Sequence, residues 1–387
     1  MTPVHPTSRR QRPERSAAMR PVALAFFLLP ALLLGSPGAD ASSFRSGGVD
    51  YVSLEDCAAR LGMRLERSIP PTSVMLKDGA QPVARFSDRS RDTDIKGLRV
   101  FFGDPVLEHR GTFYLSRTDF DARLLPRLRP ELCASPPRRP HVVAVDPGHG
   151  GLDHGTENRS LGTMEKTYTL DVALRLKKLL EAAGYAVVMT RETDVDVPKQ
   201  IRTEIANQAS ADLFVSIHFN SLYPNTKTTG VEVLSFPPRS QRSTNSWSPG
   251  EKDDSEAREA PVNDFNAWNS VLASALHRRL LDSLHTGDRG EKFEHLGVLR
   301  MLKCPGVLVE SAFLSSDAEA ARLATPAYRD QIAAAILGGI QDYSDIVVRL
   351  RAQPGAAPAG TPALVPAPGP SAGAPQRSQP TRPGSVP

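Results

Sequence analysis

The sequence predicts an α/β fold, a mostly parallel sheet flanked by helices and preceded by a small α+β module. Three observations predict it. From His141 onward, short apolar runs alternate with amphipathic stretches of helical length, the pattern of parallel strands joined by crossover helices. Before residue 140 the runs are shorter, separated by turn residues, and two of them repeat. Between these regions "ASPPRRP" (134–140) is a linker by composition. A chain of 387 residues leaves room for about two domains of roughly 150 residues each.

The first 41 residues read as a secretory signal peptide. Five arginines (Arg9, Arg10, Arg12, Arg15, Arg20) precede the apolar run Val22 to Leu34, which ends near the small-residue site Ala39-Asp40-Ala41. The run is too short to span a bilayer comfortably, and no cysteine follows it to take a lipid. Export to the periplasm or the extracellular space is expected, with no stable membrane anchor after cleavage. The segment's five arginines stand against Glu14 and Asp40, so its removal lowers the net charge from +4 to +1. The basic balance therefore belongs to the leader, and no nucleic-acid partner is implied. Three cysteines in an exported chain (Cys57, Cys133, Cys304) leave one unpaired at best. Cys57 and Cys133 share one module and are candidates to bridge, with three buried thiols as the equal alternative.

The module spans 45–133. "YVSLEDCAARL" (Tyr51 to Leu61) and "YLSRTDFDARL" (Tyr114 to Leu124) agree at six positions. Each reads as a strand entering a helix, with Ser53 or Ser116 as N-cap. Between them "SVMLKDGAQPVARF" reads as a hairpin turning at Lys-Asp-Gly. With its internal duplication the module resembles the copper amine oxidase N-terminal-like domain of cell-envelope proteins. That resemblance implies neither copper nor oxidase activity.

The second domain spans 141–345. "HVVAVD", "AVVMTR", "DLFVSIH", "GVEVLSF", "LGVLR" and "GVLVES" read as strands. "EKTYTLDVALRLKKLLEAAGY" reads as an amphipathic helix stopped by Gly184, and "PKQIRTEIANQAS" as one opened by Pro198. Further helices are expected from Asn263 to His285 and from Tyr328 to Tyr343. The last 36 residues, 352–387, hold ten of the 34 prolines, too many for a packed core, so this tail is expected to be disordered.

Sheets of this class place their sites at the carboxyl ends of strands. "VAVDPGHGG" puts a histidine in a glycine turn just there. A phosphate-binding turn would normally bring a lysine, whereas Asp146 and His149 suggest metal chemistry. His218 ends "FVSIH", Glu310 ends "VLVE", and Glu165 opens the domain's first helix. Three of these four could bind zinc through two imidazoles and a carboxylate, leaving a fourth position for water and the remaining acid as general base. Taken singly each has a plain explanation. A strand-end histidine is usually structural, and a first-turn glutamate suits the helix dipole. Glu310 is harder to dismiss, because an acid ending a buried strand is rarely left unpaired.

Together "VAVDPGHGG", "MEKTYTLDVALRLKKLLEAAGYAVVMTR", "ADLFVSIHFNS", "GVEVLSF", "DRGEKFEHLGVLR" and "PGVLVESAFLSS" resemble the zinc-dependent N-acetylmuramoyl-L-alanine amidases of the three-layer α/β class. The resemblance runs in order from about His141 to Tyr343. It implies that His149, Glu165 and His218 hold one Zn2+ and that Glu310 is the catalytic glutamate. It places Asn220 at a polar position that contacts substrate. It further implies peptidoglycan as substrate, cleaved between N-acetylmuramic acid and L-alanine, and a protein activator among the partners. The metal set alone would equally serve a peptidase cutting elsewhere in the stem peptide, and the fold could also survive in a silent wall-binding protein. Ser311, Ala312 and Ser316 stand where the family often has threonine, glycine and asparagine. His154 is an additional histidine, read as a rim residue and not a ligand.

One stretch remains. Pro237 to Phe265 is a long polar connection carrying Glu251, Asp253, Asp254, Glu256 and Glu259. A solvated loop is the favoured reading, with an autoinhibitory lid over the metal as the alternative.

Overall fold

The computed structural model describes residues 43–68, 72–245 and 263–353. The export segment, the acidic run 251–259 and the tail beyond residue 353 lie outside the described residues, as does the choice between loop and lid.

In the module, β1 (Ser43–Ser46) and β2 (Val49–Ser53) form a hairpin, and β2 enters helix α1 (Leu54–Leu61). An antiparallel meander follows: β3 (Arg64–Arg67), β4 (Ser73–Asp78), β5 (Gln81–Ser87), β6 (Asp92–Ile95) and β7 (Leu98–Phe101). The hairpin of β4 and β5 turns at Gly79, whose φ of 58° suits glycine. Next come β8 (Leu107–His109) and β9 (Thr112–Ser116). β9 enters α2 (Arg117–Asp119), which widens by a π turn at Phe120–Leu124 and continues as α3 (Leu125–Leu128). The two repeated stretches are thus both strand-to-helix corners. Ser53 Oγ accepts from Asp56 N at 3.0 Å and Ser116 Oγ from Asp119 N at 3.0 Å, and the two strands pair antiparallel. The repeat packs against itself.

From residue 141 the chain forms β10 (Val142–Pro147), the short hairpin β11 (Glu157–Asn158) and β12 (Thr163–Met164), α4 (Glu165–Ala182), β13 (Ala186–Met189), α5 (Lys199–Gln208), β14 (Leu213–Asn220) and β15 (Val231–Ser235). After the segment outside the described residues come α6 (Asn266–Leu284), β16 (Asp288–Phe293), α7 (Gly297–Arg300), β17 (Gly306–Phe313), α8 (Asp317–Leu323) and α9 (Pro326–Arg351). The sheet order is β13-β10-β14-β17-β15-β16. Every contact is parallel except that of β17 with β15.

Strand alternation distributes the core between two layers. Val143, Val145, Ile217 and Val309 pack with Leu176 of α4, Leu276 of α6 and Ile336 of α9. Their neighbours Ala144, Phe214 and Leu308 face the other way, onto Ala206 of α5 and Leu299 of α7. Helices therefore cover both faces, the three-layer arrangement the resemblance implies.

One expected strand is a helix. "LGVLR" supplies the single turn α7, which buries Val298 and Leu299. The strand of this region lies just upstream at "DRGEKF", where four charges conceal an extended segment whose last four residues are buried. Those charges find distant partners, so the local pattern misleads.

β16 is also where the sheet crosses from one region to the next. It pairs parallel with β7, Glu291 opposite Val100, so that eleven strands form one uninterrupted sheet. The seam is polar and buried. Arg127 and Glu291 form an ion pair with side chains only 3% and 0% exposed, and the Arg123 guanidinium lies 3.3 Å from the Phe293 ring centroid. Ser270 Oγ donates to the Ala122 carbonyl at 2.5 Å, and Arg99 N donates to Asp288 Oδ2 at 2.8 Å. The three cysteines are free thiols, Cys57 and Cys304 buried and Cys133 partly so.

Candidate active site

β10 ends in Pro147, and the chain turns at Gly148-His149-Gly150-Gly151. Two buried arginines shape this turn. Arg191 Nε donates to the Pro147 carbonyl at 3.0 Å and its Nη2 to that of Gly148 at 2.8 Å. Arg202 Nη1 reaches the Pro147 carbonyl at 2.6 Å and its Nη2 that of His149 at 2.8 Å. His149 itself takes φ 60°, the left-handed region that a non-glycine residue enters only when its surroundings enforce it. Asp146, considered with His149 as a metal residue, is structural. It accepts from Thr190 Oγ1 at 2.5 Å, Arg202 Nη1 at 2.8 Å and Ser216 Oγ at 2.7 Å.

The structure brings His149, Glu165 and His218 together. Their ligand atoms all lie within 4.8 Å of one another. His149 Nε2 is 3.1 Å and His218 Nδ1 2.9 Å from Glu165 Oε1, and the imidazoles meet edge to face at 4.8 Å between centroids. Glu165 heads α4 because the β11–β12 hairpin delivers the chain there, with Glu165 N donating to the Thr156 carbonyl at 2.9 Å. Its carboxylate is further fixed by Phe219 N on Oε1 at 3.1 Å and Thr156 N on Oε2 at 2.8 Å.

Electrostatics follow from this crowding. Burial would raise the Glu165 carboxyl, but the hydrogen bonds from His149 and His218 override it and hold it well below the ordinary range. Burial works to lower the His149 imidazole, yet Glu165 and then Asp153 raise it on balance.

This donor set fits one divalent ion. Zinc takes nitrogen and oxygen at about 2.0–2.2 Å, so tetrahedral ligand atoms lie roughly 3.3–3.5 Å apart, close to the nitrogen-to-oxygen separations above. Asp153 adds a support that the sequence did not disclose. Its Oδ2 lies 2.9 Å from His149 Nδ1, the carboxylate behind a histidine that typically sets tautomer and ring orientation at metal sites. The available signal was an acid four residues beyond His149 within the same turn.

The glycines answer for space. A Cβ on Gly148 would fall 2.2 Å from His218 Cε1, and one on Gly155 would fall 2.6 Å from both Glu165 Oε2 and His149 Cδ2. Gly148→Ala is therefore expected to tilt the His218 ring and weaken divalent-metal affinity by about 10–100-fold, measured by competition with a chromophoric chelator. Unchanged affinity would show that the ring has room to give.

Glu310 stands beside this group. It is the neighbour of His218 across the β14–β17 ladder and of Glu232 across β17–β15. Its Oε2 is buried with no hydrogen-bond partner among the described residues. Burial first, then Glu165 and Glu232, drive its carboxyl well above the ordinary range, with Lys292 opposing them. Asn220 follows a bulge at the end of β14. Its Nδ2 donates to Glu232 Oε2 at 3.1 Å, and Lys292 Nζ donates to Glu232 Oε1 at 2.7 Å. Glu232 and Lys292 were not foreseen, although a charge inside the apolar run "GVEVLSF" was the visible sign. His154 pairs with Glu157 at 3.0 Å on the exposed rim and takes no part in the cluster.

The sequence pattern of the N-acetylmuramoyl-L-alanine amidases matches residues 143–342, just over half of the chain. The chain belongs to this amidase family. Among its members, N-acetylmuramoyl-L-alanine amidase AmiC of Neisseria meningitidis is 34% identical over 234 residues, covering 55% of each chain. N-acetylmuramoyl-L-alanine amidase LytC of Bacillus subtilis is 32% identical, covering 52% of this chain and 35% of its own. Against such curated relatives the amidase chain spans about half their length or less. A solved structure, amidase AmiC2 of Nostoc punctiforme, aligns with 53% of this chain and 97% of its own, at 30% identity and a TM-score of 0.44.

Proposed function

We propose that this chain is an exported, zinc-dependent N-acetylmuramoyl-L-alanine amidase of peptidoglycan. The observation that carries the reading is the convergence of His149, Glu165 and His218 beside Glu310, whose Oε2 is buried with no hydrogen-bond partner among the described residues. Zinc, held by those three residues, would supply Lewis acidity toward the scissile carbonyl and lower the pKa of water to about 7. Glu310 accepts the proton of the attacking water and returns it to the departing L-alanine amine, which is a poor leaving group unless protonated. Asp153 holds the His149 imidazole in place from its other ring nitrogen. Asn220 steadies Glu232 on the substrate side.

Export rests on residues 1–41, a signal peptide in this reading, with module 45–133, linker 134–140, catalytic domain 141–345 and tail 352–387 following. The substrate is an extracytoplasmic polymer, which accords with that layout. Among the described residues no helix is long and apolar enough to cross a membrane. The reading is tested by the masses of fragments that the full chain releases from purified peptidoglycan, since they identify the bond cut.

A further inference from the structure

The continuous sheet carries the chemistry of the site outward onto the module. His218, Glu310 and Glu232 are lateral neighbours on β14, β17 and β15, and Lys292 pairs with Leu234, two residues beyond Glu232. All four side chains therefore leave the same face of the sheet. On the next strand, β7 of the module, the Phe101 ring centroid lies 5.5 Å from Lys292 Nζ. There an open cleft of about 400 Å³ is lined by Arg89, Arg91, Phe101, Thr244, Asn245 and Lys292, a size within the ordinary range for ligand sites. Asp92 is the only acid on its wall, and that carboxylate is engaged by Arg99 Nε at 3.0 and 2.9 Å. Arg91 is braced along the wall by the carbonyls of Phe102 at 3.0 Å and Thr244 at 3.3 Å. Three cations thus line a cleft with one acid on its wall, Lys292 being held by Glu232 at 2.7 Å and Arg89 lying 3.6 Å from Asp88.

Distance decides what the cleft would receive. β17 and β7 are three strands apart, about 14 Å at roughly 4.8 Å per strand. An extended peptide advances about 3.3–3.6 Å per residue, so one whose first amide lies at Glu310 reaches the cleft with its fourth residue. A stem tetrapeptide carries its terminal carboxylate at that residue. We propose that the cleft between β7 and β16 is a subsite for the carboxylate-bearing distal end of the stem peptide, built half by the module. This rests on the amidase reading above.

The test compares muropeptides with two-residue and four-residue stems, using the full zinc-loaded chain and Arg89→Glu, an exposed position outside the catalytic group. Wild type should show the lower KM for the longer stem. Arg89→Glu should raise that KM by about five- to tenfold, as expected for reversing a rim charge, with kcat and the short-stem KM unchanged. If neither substrate is cleaved at the lactyl amide, the amidase reading falls and the subsite with it. If both are cleaved but wild type ignores stem length, or Arg89→Glu alters both substrates alike or neither, the subsite assignment alone is overturned.

Discussion

Glu310→Gln is expected to keep its metal and lose roughly two to four orders of magnitude in kcat, the usual worth of a positioned general acid–base. The glutamine is nearly isosteric, so the packing around β17 stays, and the three ligand residues are untouched. What disappears is the ability to take and return a proton. His218→Ala is the control, because it should lose metal and activity together. Glu310→Gln also has a signature without metal. Burial, reinforced by Glu165 and Glu232, holds the Glu310 carboxyl far above its ordinary range. A folded-state pKa above the unfolded value contributes stability below the unfolded pKa, and that stability is lost as pH rises through the folded pKa. The metal-free wild type should therefore lose thermal stability between acid and neutral pH, and Glu310→Gln should lose less. Metal analysis, steady-state kinetics and melting curves check the three statements. Full turnover by Glu310→Gln would remove this residue from the mechanism.

The largest effect on stability is expected at the seam between β7 and β16. Arg127→Met leaves Glu291 buried with Ser274 Oγ at 2.9 Å as its nearest remaining donor, and His277 Nδ1 is 3.9 Å away. Stranding one member of a buried pair costs about 3–5 kcal/mol. For a domain of this size that corresponds to a fall in Tm on the order of 10 °C. The double variant Arg127→Met with Glu291→Leu should recover most of the loss, since apolar replacement of both partners is often neutral or better. Differential scanning calorimetry decides it. A single variant that melts with wild type would mean that the pair is solvated, and a double variant no better than the single would assign the loss to packing.

The parts of the fold set by local pattern were legible in the sequence. β10, β14 and β17 are apolar runs, α4 has helical periodicity with a glycine stop, and both serine caps stand at matching places in the repeat. His149, His218 and Glu310 were visible for a related reason, because a polar residue ending an apolar strand is conspicuous. What stayed hidden depends on partners far along the chain. β16 lacks an apolar run because Asp288, Arg289, Glu291 and Lys292 are charged. Their partners include Arg99 N, Arg127 and Glu232, none of which periodicity can anticipate. The same blindness concealed the sheet's passage into the module. Arg191 and Arg202 look like surface residues of a strand end and a helix, yet both are buried where they clamp the His149 turn.

Fragment mass after digestion of purified peptidoglycan, with zinc present and with zinc chelated, bears most directly on the proposed activity. With zinc, the expected products are stem peptides that begin with a free L-alanine amine, together with glycan stripped of peptide. Chelation should abolish both products, and restoring zinc should return them. Fragments in which shortened stems remain joined to the sugar, or release that continues undiminished under chelation, would contradict it.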